Sequence, residues 1–237
     1  MKGDIPGAID LANQALTKQR EGDDGKGEGN DPHVLADAAL FLGKLLQLNQ
    51  RYEEAEALFR EAHSSLQLRS PSPRDRSPGD EHTALSHLAH AQRKLRRFDD
   101  AEDSYVRALR GLEGAVGWEA GITNHTGIGL ARLYRERGRD ADAAAVLNEM
   151  RAALANVFGD EDPRAVQIDI ELADAHISMG DRREAILLLD QVVECLPPGS
   201  PESRRAFMRL EELKEEEEAE EPCDGSDSRT ITKVTAK

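Results

Sequence analysis

The sequence predicts an all-α protein, a right-handed α-solenoid of antiparallel helix pairs. Three observations carry this: apolar residues recur at helical spacing, short turns separate the helical stretches, and one two-helix phrase returns along the chain at a near-constant interval. The clearest copy is GIGLARLYRERGRDADAAAVLNEM, from Gly127 to Met150. Leu130, Ala131 and Tyr134 share one face of its first helix. Gly138 interrupts the pattern, because a tight turn between antiparallel helices requires a positive φ that glycine adopts at little cost. Ala143, Leu147 and Met150 then form the apolar stripe of a second helix.

The phrase recurs at residues 39–62, 85–108 and 169–192. On one register Leu42, Leu88, Leu130 and Leu172 align, followed by the small residues Gly43, Ala89, Ala131 and Ala173. On the second helix Ala55, Ala101, Ala143 and Ala185 align, then Phe59, Tyr105, Leu147 and Leu189. A half copy places Ala8 in the same series, whose successive spacings are 47, 46, 42 and 42 residues. Two helices per unit at such a period define a stack in which each unit buries its seam on the next. A β-propeller blade of similar length is rejected, since period-2 alternation is absent and β-branched runs are few. HEAT and armadillo units have the length but not the pattern.

The small–aromatic spacing resembles the tetratricopeptide repeat, whose usual unit is about 34 residues. The extra residues fall between units, in links reading DPH (Asp31–His33), GDEH (Gly79–His82) and GDEDP (Gly159–Pro163). A unit lengthened in this way is similar to the kinesin light chain repeat, and the resemblance covers residues 3–196. It implies an adaptor that recognises cargo peptides for a microtubule motor. Two departures qualify it. No sustained heptad run precedes the repeats, so motor attachment does not follow from this chain. The Asn-rich first-helix phrase of that family is replaced by Ser86-His87, Ile128-Gly129 and Glu171.

Composition agrees with a thin helical stack. Only 4% of the 237 residues are aromatic and 38% are hydrophobic, so Ala and Leu fill the interfaces. A net charge of −15 opposes nucleic-acid binding, which requires a basic face. Cys195 and Cys223 form no disulfide framework and are expected as thiols. No apolar run reaches the roughly 20 residues of a membrane span, and the N-terminus carries no signal-like apolar segment. A cytoplasmic protein without cofactors is expected.

In chain order, residues 1–20 read as a half repeat, a second helix without its first. This implies either a fragment of a longer array or a bare cap. Residues 21–30, EGDDGKGEGN, read as a flexible loop; a phosphate cradle is rejected because no Gly-Lys-Ser/Thr follows. Repeat 1 spans 31–68, with Asp31 as N-cap before Pro32. Residues 69–79 form a Ser-Pro-rich linker. A flexible insertion is its plain reading; phosphorylation of Ser70, Ser72 and Ser77 by a proline-directed kinase, beside Arg69, Arg74 and Arg76, is the sharper one. Repeats 2, 3 and 4 span 80–115, 118–158 and 160–196. Pro197 and Pro198 end the array. Residues 201–220 are expected to form an acidic capping helix, and 221–237 a disordered tail.

Function is sought on the first helices, which line the concave face of such a stack. Residues left over from the core are Phe41 and Lys44, then His87, His90, Arg93 and Lys94, then His125, Arg132 and Arg135, then Glu171 and Asp174. Leu40 joins Phe41 as an apolar patch. A basic stripe in an acidic protein is expected to grip a peptide whose acidic residues lie under His90 and Arg132, since arginine binds carboxylate bidentately; the plain alternative is a solvated face. His87 and His90 stand three apart, but no cysteine or placed carboxylate joins them, so no metal site is assigned. No Ser-His-Asp, G-x-S-x-G or HExxH pattern is present, so no catalytic residue is assigned. The expected function is a protein–protein adaptor or scaffold binding a protein or peptide. A module that self-associates or assembles a complex through its ends is the alternative.

Overall fold

The computed structural model describes residues 5–21, 32–68, 79–159, 162–197 and 199–220. The Asp31 cap, most of the Gly-rich loop, Ser70, Ser72, Ser77, Cys223 and the 221–237 tail lie outside these residues. Ten α-helices and no strand form among the described residues. They are α1 (Ile5–Glu21), α2 (Pro32–Leu48), α3 (Tyr52–Leu68), α4 (Asp80–Lys94), α5 (Phe98–Val116), α6 (Gly121–Glu136), α7 (Asp140–Phe158), α8 (Pro163–Met179), α9 (Arg182–Cys195) and α10 (Pro201–Glu220). Each packs on the next, so the fold is an all-α solenoid.

The helices stack in two layers. The first helices α2, α4, α6 and α8 also touch one another in succession. The second helices α3, α5, α7 and α9 make no such series of contacts. In a curved stack the inner layer is the crowded one, so the first helices line the concave side.

Small residues explain the close approach. A Cβ on Gly43 would lie 2.6 Å from the Phe59 ring, and one on Gly129 would lie 2.7 Å from the Tyr105 ring. Both rings are fully buried. The register residues Ala89, Ala131 and Ala173 are likewise buried. Leu42, Leu88, Leu130 and Leu172 complete the seam between the layers. Leu40 belongs to this core at 9% exposure, so the expected apolar patch on the inner face reduces to Phe41.

The turn within each pair uses one backbone device four times. Gln50, Arg96, Gly138 and Gly180 hold the same register position, and their φ values are 61°, 61°, 72° and 84°. Gly138 is the residue expected there; Gln50 and Arg96 adopt the left-handed conformation without glycine's freedom. At the start of α8, the Asp162 carboxylate accepts from the Arg164 amide at 2.9 Å, and Pro163 follows as the first helical residue. The α10 helix packs on α9 through Ala206, Leu210 and Leu213, while Phe207 and Met208 stay exposed.

Candidate functional site on the inner face

Register places Lys44, His90, Arg132 and Asp174 at one position on the four first helices, with Phe41, His87, Gly129 and Glu171 one turn earlier. The structure gives these residues different surroundings. Phe41 is 59% exposed, and Val34 and Leu48 stand out on the same side of α2 at 43% and 70%. Lys44 is exposed without an ion-pair partner among the described residues.

The histidines form a stacked series. His87 stacks on Phe59 with ring centroids 5.2 Å apart and planes 22° apart. His90 on α4 stacks on His125 on α6 at 6.1 Å and 25°. Burial, then the charge of Lys44, pushes His87 down to about 4. Burial, then the nearby Arg93, His125 and Lys94, pushes His90 down to about 3. His125 is lowered by the same kind of surroundings, burial first and Arg132 next. At neutral pH the series is therefore an uncharged aromatic strip rather than a source of positive charge.

The arginines meet carboxylates across the repeat boundaries. Arg93, buried at 5% exposure, donates to Glu136 on the neighbouring first helix. Arg132 Nε donates to Glu171 Oε1 at 2.9 Å, and that bond raises the arginine further. Arg135 Nη1 reaches Asp174 at 3.2 Å and the other Glu171 oxygen at 3.5 Å. Glu171 is itself 5% exposed. Sequence reasoning laid cations and carboxylates along one row; the structure joins them as pairs between α6 and α8. Lys44 and Lys94, like Arg205 of α10, are exposed and have no ion partner among the described residues.

Two hollows meet at Arg132. One, of about 300 Å³, is lined by Asn124, His125 and Ile128 of α6 and by Arg164 and Gln167 of α8. Asn124 is 8% exposed, and neither of its amide atoms has a hydrogen-bond partner. The other, of about 430 Å³, runs past Arg135, Glu171, Asp174 and Ser178 to Arg205 of α10. Both lie on the α6–α8 side of the stack and have Arg132 in common. Ser86, next to His87 on α4, is buried between helices. Thr126 Oγ1 donates to the Ile122 carbonyl at 2.7 Å and so accepts from Ser86 Oγ at 2.7 Å. No cluster of three or more metal-binding side chains occurs among the described residues. None of their helices is long and apolar enough to cross a membrane.

Comparison with known proteins agrees with this architecture. Tetratricopeptide-repeat profiles match residues 35–67 and 84–115. No curated protein matches significantly. BtubC (BKLC) from P. vanneervenii is similar in structure, with a TM-score of 0.66 at 17% identity, covering 100% of each chain. A putative kinesin light chain of nearly identical TPR-like repeats from Podosopora anserina gives 0.67 at 21% identity, over 81% of this chain and 87% of that one. YrrB, described as a TPR protein with an unusual peptide-binding site, gives 0.54 at 15% identity, over 86% and 88%. Residues 35–67 and 84–115 thus carry tetratricopeptide repeats. The fold of the chain is that of the kinesin light chain-like solenoids.

Proposed function

We propose that this protein is an adaptor that takes a partner peptide along its inner face. The observation that supports the reading is the pair of hollows that share Arg132, one of them lined by His125 of the neutral His90–His125 stack. The inner face offers polar groups, an aromatic strip and, at the α2 end, the exposed Phe41 ring. A peptide laid along it gains apolar contact at Phe41 and the histidines. Its carboxylates face Lys44 and Lys94, two cations without an ion partner among the described residues. The acidic residues of the partner therefore sit nearer α2 and α4 than a row of free arginines would place them. A cargo-adaptor role of the kinesin light chain kind is the specific form, supported by the shared fold.

The test is panning of a displayed peptide library on the folded protein, followed by titration of the recovered peptides. Acidic sequences that lose at least tenfold in affinity on Lys44→Glu/Lys94→Glu support the reading. Recovered peptides that bind this variant unchanged refute it.

Self-association through the ends is the second reading. The observation favouring it is the open side of α1, where Ala8 is half-buried, Ala15 is exposed and Leu11 is 69% exposed. Light scattering decides it: a dimer that Leu11→Asp dissolves would replace the groove reading, and a monomer removes the alternative.

A further inference from the structure

The outer layer holds a second groove, which the inner-face reading does not use. At two repeat junctions an arginine in the turn between first and second helix reaches back to the preceding second helix. Arg97 Nη1 donates to Glu56 Oε2 at 2.7 Å, and Arg139 Nη1 donates to Glu102 Oε1 at 2.8 Å. Each bridge spans the gap between successive second helices. At the third junction register puts Asp181 in place of the arginine and Ala144 in place of the glutamate. The backbone is the same there: φ and ψ are −83° and 61° at Asp181, against −84° and 68° at Arg97. The bridge is therefore missing for want of side chains, not of geometry.

An open trough between α7 and α9, floored by α8, occupies this junction. Its deeper part, about 620 Å³, is lined by Asn148, Arg151, Asp169, His176, Leu187 and Gln191 among others. A second part of about 730 Å³ continues from Asn148 and His176 to Arg183 and Glu217. Leu187 in the wall is 56% exposed. Arg151 Nε is held by Asp169 at 2.5 Å and Arg183 Nε by Glu217 at 3.7 Å. Glu184, which lines both parts, has no cation paired with it among the described residues.

We propose that this trough docks an amphipathic helix of a partner protein, apolar towards Leu187 and carrying a lysine or arginine beside Glu184. Two walls and a floor made of helices form a channel that a further helix fills by ridge-and-groove packing. The α9 wall from Glu184 to Cys195 rises about 16 Å at 1.5 Å per residue, which matches about three turns of the guest. A basic guest complements both the unpaired carboxylate and the net charge of −15. A second copy of this chain brings another −15 and is opposed by the same field.

The probe is a fluorescein-labelled peptide of 14 residues, leucine and lysine at helical period, beside the same composition rearranged to alternate at strand period. Fluorescence anisotropy is expected to show binding of the helical-period peptide, at least tenfold tighter than the rearranged one. Leu187→Asn is expected to weaken it tenfold or more. Ala144→Glu/Asp181→Arg, which installs the missing bridge, is expected to do the same. Phe41→Ala is expected to leave it unchanged, which keeps this site separate from the inner face. Equal binding of the two peptides, or undiminished binding by Leu187→Asn, overturns the proposal. So does a concentration-dependent dimer that Leu187→Asn dissolves, which would assign the trough to a second copy. Circular dichroism establishes that the variants fold; if the double variant does not, Leu187→Asn alone decides.

Discussion

Arg97 lies in the turn before α5, yet its guanidinium grips the carboxylate of Glu56 on α3, at 2.8 and 2.7 Å to the two oxygens. Glu56 also accepts from Arg60 at 2.5 Å and keeps only 4% of its side chain exposed. The pair therefore ties one repeat to the next at a place where the carboxylate is shielded and the arginine is half open. In a stack whose stability is a sum over interfaces, such a tie acts on one junction rather than on the whole. A double-mutant cycle of Arg97→Ala and Glu56→Ala is expected to give a coupling of about 1 kcal/mol in urea unfolding. Strict additivity of the two losses would show that the contact contributes nothing.

Glu171 sits between two arginines from the preceding first helix and is almost covered. Glu171→Gln removes its charge while keeping its shape. Stability is expected to fall by about 1–3 kcal/mol, because Arg132 and Arg135 lose part of their compensation. The same change releases Arg132 for a guest, while Arg135 keeps Asp174. An acidic peptide recovered on the wild type is expected to bind the variant several-fold more tightly. Unchanged affinity by titration would mean that the peptide does not pass over α6 and α8.

The histidine strip sets a direction for pH dependence. His87 and His90 are pushed down to about 4 and about 3, chiefly by burial. In the unfolded chain both titrate near about 6.5. The folded state therefore binds fewer protons than the unfolded state between these values. Their contribution is complete above about pH 6.5 and is lost as pH falls towards 4 and then 3. The melting temperature is expected to drop between pH 7 and pH 5, and His90→Asn to reduce that drop. Nuclear magnetic resonance is expected to find the His90 ring still neutral at pH 5; a ring protonated there would contradict its desolvated setting.

The turn residues allow a pair of opposite changes. Gln50 and Gly138 share a position and a positive φ, 61° and 72°. Gln50→Gly is expected to stabilise by about 1 kcal/mol, since a non-glycine residue pays about that much in the left-handed region. Gly138→Ala is expected to destabilise by a similar amount, and nothing stands within 4 Å of the added Cβ to confuse the reading. Thermal unfolding of the two variants shifting in the same direction would refute the argument.

How much of this was legible beforehand depends on the distance over which the information acts. The pairing of helices was legible because Leu130, Ala131 and Leu147 repeat a local period, and Gly138 announced its turn. Gln50 and Arg96 hid the same turn, because their conformation is imposed by the packing on either side. Leu40 was misplaced because the inner stripe of a helix and its buried flank lie only 100° apart, and register alone does not say where the neighbouring helix begins. The Ser86–Thr126 bond, between residues 40 apart, left no sign in the sequence of either helix.

The sequence by itself determined the all-α class, the order of first and second helices, and the small-residue seam that lets them approach. Those follow from periodicity and side-chain size, which are properties of neighbours along the chain. Tertiary structure alone decided which charges remain available. Arg132 and Glu171 are 39 residues apart and become partners only when α6 and α8 lie side by side. The trough beside Leu187 likewise appears only when α7 and α9 are laid over α8, at a junction where register puts Asp181 and Ala144 in place of the arginine and glutamate of two other repeats. A charge is free or engaged according to what folding brings within about 3 Å of it, and no reading of adjacent residues contains that distance.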